Sequence, residues 1–242
     1  EASLKYFWDV HGYQGWDGQG GHTVAIAHYA CHQPNAFYLG GGDLAFGDGG
    51  AGINELTALD VVAHELTHAL TQTTAGLLYR GESGAINESF SDIFAVLIEF
   101  ATQPESDSPQ AEGVPGRADW MIGEDVTSSA LRDLSAPRRD DLSFQGPSWY
   151  RGDGWVEVTA EDESRALHSN SSVQNFFFYL LAQGGDGVNE GVAYALTGVG
   201  LEDAGALAFH TLTVYAHPSS DYQDIRRAWL AAAQDFDREV GE

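Results

Sequence analysis

Cysteine, methionine and lysine each occur once in this chain of 242 residues, at Cys31, Met121 and Lys5. A single cysteine excludes an intramolecular disulfide, and with it any disulfide-stapled scaffold. Basic residues are scarce as a class: 11 Lys and Arg face 36 Asp and Glu, for a formal net charge of −25. A field of that sign disfavours nucleic acid and anionic membranes as partners, and favours cations. Long apolar runs are missing too, so no membrane insertion is expected. No internal repeat is evident, and no signal peptide precedes Glu1, so an exported protein would have this chain as a processed or trimmed form. What remains is long enough to bury a sizeable core as one unit of two lobes.

Within that acidic background, residues 58–74 form an apolar, helix-compatible run that contains His64-Glu65-Leu66-Thr67-His68. Residues four apart on a helix lie one above the other on the same face. Two imidazoles at that spacing can hold one Zn²⁺ without a change of backbone. Glu65 projects beside the metal and is free to take a proton from its water. A catalytic zinc usually has three protein ligands and a water. Asn87-Glu88-Ser89-Phe90-Ser91-Asp92 opens a second apolar run, after the turn-prone Gly81-Glu82-Ser83-Gly84. Glu88 and Asp92 then share one helical face: Glu88 can bind zinc, and Asp92 can accept the outer N–H of a ligand histidine and fix its tautomer. Asn87 could do the same for the other histidine.

Nineteen residues separate His68 from Glu88, and the pair of segments HELTHALT and GAINESFSDIF strongly resembles the thermolysin-like (gluzincin) zinc metallopeptidases. The resemblance covers most of the chain. Asn35-Ala36-Phe37-Tyr38 and Phe46-Gly47-Asp48-Gly49 look like the family's substrate-binding edge strand and the turn after it. Ala75-Gly76-Leu77-Leu78-Tyr79, Ile122-Gly123-Glu124-Asp125-Val126, Leu131-Arg132 and His168-Ser169-Asn170-Ser171 follow in the family's order.

The resemblance implies an α+β fold with two lobes: a shortened β-rich N-terminal lobe over residues 1–74, ending in the HExxH helix, and a mainly helical C-terminal lobe over residues 75–242. The long β-rich segment that normally precedes the helix at residues 4–11 is missing. His64, His68 and Glu88 would bind one catalytic zinc, with Glu65 as general base. Tyr79 and His168 would donate hydrogen bonds to the developing oxyanion. Asp162 or Glu163 would orient His168, the family position falling nearer Glu163. An extended peptide would lie along the edge strand, on the backbone of Asn35 and Ala36. Arg132 would grip the substrate carbonyl next to the cut, and Val61 and Leu131 would wall an apolar pocket for the residue just after it. Asp60, Glu99, Asp119 and Glu124 fall where the family has oxygen ligands for at least one structural Ca²⁺. The implied activity is endopeptidase cleavage before bulky hydrophobic residues, by a secreted monomer of bacterial type whose propeptide is removed on maturation. Peptides or proteins are the implied partners. The rivals are a zinc aminopeptidase of the same clan, which needs a G-x-M-x-N strand not found here, and a catalytically silent, metal-stabilised peptide-binding protein, which has no need of Glu65, Tyr79 or His168.

Periodicity predicts a helix over residues 4–11 with Leu4, Phe7 and Trp8 on one side, and strands within 23–30 and 36–46. It places the two motif helices over residues 59–73 and 86–101, an irregular acidic segment over 102–117, and further helices over 173–183, 190–197, 204–216 and 222–236.

Overall fold

A computed structural model of the chain describes residues 1–50, 52–103 and 116–240. The fold is α+β and divides into two compact units that are not consecutive along the chain. The first unit comprises residues Glu1–Thr73, Ser91–Asp133 and Arg139–Ser143. It opens with helix α1 (Ala2–His11), which ends at Gly12 in the left-handed conformation, where the absence of a Cβ removes the penalty. The inward residues of α1 are Ser3, Tyr6 and Phe7, with the Phe7 ring 5.2 Å from that of Phe94. Trp8 is 53 % exposed, so the apolar face expected from Leu4, Phe7 and Trp8 is rotated by part of a turn.

Three strands follow: β1 (Ala25–Ile26), β2 (Ala36–Gly40) and β3 (Asp43–Phe46). Their order is β1-β3-β2, so β2 is an edge strand. β2 and β3 form a hairpin whose turn needs positive φ at Gly40, Gly41 and Gly42, which glycine alone adopts freely. β1 is much shorter than the span 23–30, because His28 and Ala30 have φ of 56° and 62° and break the extended run. Helix α2 (Leu59–Thr73) packs on β2 and buries Val61, Ala63, Leu66 and Leu70. Ile93, Phe94 and Ile98 add to this unit's core, and the short ladder of β4 (Met121–Ile122) and β5 (Arg132–Asp133) is buried as well. Of the segment 102–117, residues 104–115 lie outside the described residues.

Helix α3 (Gly81–Thr102) starts five residues before the expected boundary, since Gly81–Gly84 is its first turn and not a loop before it. Its residues up to Phe90 belong to the second unit, together with Thr74–Tyr79, Leu134–Arg138 and the chain from Phe144 onward. That unit holds α4 (Glu163–Asn170), α5 (Ser172–Gln183), a hairpin of β6 (Gly184–Asn189) and β7 (Val192–Thr197), α6 (Leu201–His210) and α7 (Tyr222–Val240). Phe90 stacks on Trp229 with centroids 6.2 Å apart, and Phe178 and Leu167 are buried. The helix expected over residues 190–197 is absent. Glu190 and Gly191 take φ of 47° and 83°, the two-residue turn of a hairpin, and Val192, Tyr194 and Thr197 on the second side suit a strand. The expected helix over 204–216 ends as α6 at His210 and continues as a π-helical turn, Thr211–Tyr215. Among the described residues, no helix is long and apolar enough to cross a membrane.

Candidate active site

Helix α2 holds its two histidines one turn apart, and residues of α3 fix both rings from behind. His64 Nδ1 lies 2.9 Å from Asp92 Oδ1, and His68 Nδ1 lies 3.2 Å from Ser91 Oγ. A carboxylate only accepts, so His64 carries its proton on Nδ1 and keeps a lone pair on Nε2. The two Nε2 atoms face each other at 3.2 Å. With the His68 proton likewise on Nδ1, toward Ser91 Oγ, both Nε2 lone pairs would turn to one cation, and the outer hydrogen bonds make each ring a better donor to it. Asp92 is fully buried and is itself gripped by Arg132, Nε to Oδ2 at 2.7 Å and Nη2 to Oδ1 at 2.6 Å. Burial alone would raise the Asp92 pKa, but the Arg132 guanidinium and the His64 hydrogen bond outweigh it and hold the carboxyl at about 2. Glu65 follows His64 on α2 and is 9 % exposed.

Helix α3 carries the third candidate. Ser91 and Asp92 follow Glu88 by three and four residues, so all three lie on one helical face. Within the second unit the Glu88 carboxylate is fully buried, accepts a hydrogen bond from Tyr79 Oη, and has Oε2 3.3 Å from His168 Nε2. His168 Nδ1 donates to the Ser164 carbonyl at 2.7 Å, which leaves Nε2 as the nitrogen that faces the carboxylate. The orienting group is thus a backbone oxygen one turn back on α4, in place of the side chain expected at Glu163 or Asp162. Asn87 donates Nδ2 to the Leu77 carbonyl at 3.1 Å, tying α3 to the segment that bears Tyr79.

Residues 1–72 match the family model of the thermolysin metallopeptidase catalytic domain, and residues 75–240 that of the thermolysin metallopeptidase α-helical domain. The chain belongs to the thermolysin metallopeptidase family. It is 36 % identical to a bacillolysin of Brevibacillus brevis over 98 % of this chain and 40 % of that protein. It is 35 % identical to a thermolysin of Alicyclobacillus acidocaldarius over 96 % of this chain and 39 % of that protein. Among solved structures it resembles the precursor of protealysin, a metalloproteinase from Serratia proteamaculans, with a TM-score of 0.76 and 30 % identity. That match covers 97 % of this chain and 69 % of the other. The chain therefore spans about two-fifths of the length of the bacillolysin and the thermolysin it matches.

The family implies zinc, and the donors on α2 fit it: two imidazoles one helical turn apart, with facing Nε2 atoms and each Nδ1 held by a hydrogen bond, are a nitrogen set suited to zinc. Of the residues that family resemblance marks for substrate, Asn35 stands at the start of edge strand β2, where its carbonyl accepts from Gly47 N at 3.1 Å. Ala36 is buried and pairs with Phe46. Val61 is buried on α2, and Leu131 is half-buried against Gly123, where a Cβ would meet its Cγ at 2.5 Å. Arg132 is buried in its Asp92 pair, a partner that spacing alone did not reveal. Ser91 was also missed, although its position three residues after Glu88 was the available signal.

A second acidic cluster lies within the first unit. Asp60, Glu99, Asp119 and Glu124 are all buried, and Asp125 joins them: Glu99, Glu124 and Asp125 each bring an oxygen within 4.8 Å of the others. Asp60 Oδ2 accepts from Gly123 N, and Asp119 Oδ1 from Met121 N at 2.8 Å. Asp60 Oδ1 and both carboxylate oxygens of Glu99 and of Glu124 are buried without a hydrogen-bond partner among the described residues. Burial, then the charge of Asp60 and the other neighbours, pushes Glu99 to about 10. Burial, then Asp60 and Asp119, pushes Glu124 to about 9, and burial pushes Asp60 to about 6. Five carboxyls crowded in this way are an oxygen-rich set suited to a hard divalent cation. Asp125 follows Glu124 directly and was the one member not singled out in the sequence.

Proposed function

We propose that the protein is a zinc-dependent endopeptidase that cleaves peptide bonds on the N-terminal side of bulky hydrophobic residues. The observation that carries the reading is the facing pair of Nε2 atoms on α2, with Asp92 and Ser91 holding the outer nitrogens and Glu88 on the same face of α3. His64, His68 and Glu88 would be the zinc ligands, a two-histidine, one-carboxylate set of the kind a catalytic zinc takes. When bound, zinc lowers the pKa of water and polarises the scissile carbonyl. Glu65 takes the proton of the attacking water and passes it to the leaving amine. Tyr79 Oη and, with the ring in its doubly protonated form, His168 Nε2, both held beside the Glu88 carboxylate, donate to the oxyanion.

The substrate lies extended along edge strand β2, with Asn35 and Ala36 offering backbone groups. Val61 and Leu131 wall the pocket for the residue after the cut. Arg132 spends at least two of its nitrogens on Asp92, so its reach toward a substrate carbonyl rests on the rest of the fork. The Asp60, Glu99, Asp119, Glu124 and Asp125 cluster holds structural calcium. Secretion by a bacterium, and release of a propeptide, complete the reading; the likeness to a protealysin precursor supports the latter.

The test is cleavage of an internally quenched peptide with blocked ends and a central Gly-Leu bond, in zinc and calcium. Cleavage before Leu that stops with a zinc chelator supports an endopeptidase, because a blocked amine excludes aminopeptidase action. A folded, zinc-loaded protein that leaves the peptide intact would sink the proposal.

A further inference from the structure

The aromatic residue against His168 has no assigned task. Phe144 lies in the irregular segment before α4, and its ring stacks on the His168 imidazole with centroids 5.0 Å apart and planes 24° from parallel. The segment is pinned there from both sides. Gly146 N donates to the Pro137 carbonyl at 2.9 Å, and a Cβ at Gly146 would stand 1.9 Å from the Ser169 carbonyl and 2.3 Å from Ser172 Oγ. Only glycine permits that approach, which brings the chain onto the end of α4 and lays Phe144 over the ring.

The imidazole is thereby fixed in three ways. Its Nδ1–H is tied to the Ser164 carbonyl, its flat face is covered by Phe144, and its Nε2 points at Glu88 Oε2, 3.3 Å away. A histidine with 23 % of its side chain exposed, in the last turn of a short helix, would otherwise turn about its side-chain bonds. The hydrogen bond to Ser164 limits that turning but leaves the ring plane free to rock. A stacked ring removes this last freedom, since an aromatic pair at this separation attracts beyond the area it buries.

We infer that Phe144 is a positioning residue of the peptidase reaction, which acts by holding the His168 ring in the plane from which Nε2 donates to the oxyanion. The inference rests on the role of His168 proposed above. It also assigns Gly146 a purpose: to bring Phe144 close enough to stack.

A double-mutant cycle on the full chain tests it, with Phe144→Ala, His168→Ala and the pair assayed on the blocked peptide and each checked for zinc content. NMR of the histidine ring protons is recorded alongside, with and without zinc. Because a displacement of about 1 Å near the reacting atoms can cost on the order of 10²-fold, Phe144→Ala should lower kcat roughly tenfold or more, with KM nearly unchanged and zinc retained. Phe144→Trp, which keeps a stacking face, should restore most of the loss. In the His168→Ala background Phe144→Ala should add nothing, since residues that act through one another are not additive. The His168 ring protons should be shifted upfield by the stacked ring in the native chain, and should lose that shift in Phe144→Ala.

Native turnover in Phe144→Ala, or an undiminished effect of that substitution when His168 is already absent, would overturn the inference. So would His168 ring protons without an upfield shift in the native chain. The two readings separate cleanly. If His168→Ala is impaired and Phe144→Ala is not, only this inference falls. If His168→Ala keeps full turnover, the role of His168 falls and this inference with it, while zinc binding by the chain is untouched.

Discussion

Replacing Glu99 by Gln should stabilise the metal-free protein, and by more as the pH rises. Glu99 is fully buried, neither of its carboxylate oxygens has a hydrogen-bond partner among the described residues, and desolvation, then the charges of Asp60, Glu124, Asp119 and Asp125, push its pKa from an ordinary 4.5 to about 10. A carboxyl whose pKa is raised by folding contributes its full stability below the unfolded value, and loses it progressively as the pH climbs toward the folded value. At pH 7.5 the unfolded chain has Glu99 ionised, while the metal-free folded chain must keep it protonated. That gap covers three pH units at about 1.4 kcal/mol each, so holding the proton costs about 4 kcal/mol. Gln is a neutral isostere of the protonated acid and escapes the cost. Metal-free Glu99→Gln should therefore exceed the native chain by about 4 kcal/mol at pH 7.5 but only about 1.4 kcal/mol at pH 5.5. At 2–4 °C per kcal/mol for a chain of this size, the higher pH should show a Tm gain of roughly 8–16 °C. Circular dichroism melts of metal-free protein measure it directly. Added calcium should reverse the ranking, because the ion stabilises the ionised native cluster and has lost a ligand in the variant. A stability difference that does not grow between pH 5.5 and 7.5 would refute the reasoning, as would a calcium response in Glu99→Gln equal to that of the native chain.

Other substitutions address the peptidase site. Glu65→Gln should keep zinc, as metal analysis would show, yet lower kcat by roughly 10²–10⁴-fold, the usual contribution of a general base. Asp92→Asn should weaken zinc affinity by about 10–100-fold in competition with a chelator, since Asp92 fixes the His64 tautomer. Arg132→Met should cost about 3–5 kcal/mol in denaturant unfolding, the penalty for leaving one buried partner of an ion pair uncompensated; a loss well below 1 kcal/mol would mean that Asp92 finds another partner.

The chemistry of this site was legible because helical spacing fixes it locally. His64 and His68, and likewise Glu88 and Asp92, are four residues apart, and α2 has the bounds that its apolar run implies. What the sequence concealed were partners supplied by the backbone or by distant residues. The Ser164 carbonyl that holds His168 has no side chain to read, and the Arg132–Asp92 pair joins residues forty apart. The segment 190–197 read as helical because Ala, Val and Leu fit either period when short. Its fate was decided by the Glu190-Gly191 turn, whose positive φ values a propensity count ignores. Trp8 looked like a core residue by composition, yet α1 offers its inward face to Phe94 through Phe7 and leaves the indole outside.

Helix α3 also bears on how this protein could be taken apart. The two family models meet in the gap between residues 72 and 75, which invites the view of two exchangeable modules. Yet the compact units divide inside α3, after Phe90, so its last turns, with Ile93, Phe94 and Ile98, belong to the core of the N-terminal unit. A fragment that ends near residue 74 would be expressed without those side chains, and the complementary fragment would carry them with nothing to cover them. Recombining halves of related enzymes at that seam would exchange one wall of a foreign core. Crossovers that move α3 together with its first-unit partners, Phe7 among them, are the ones that should yield folded chimeras.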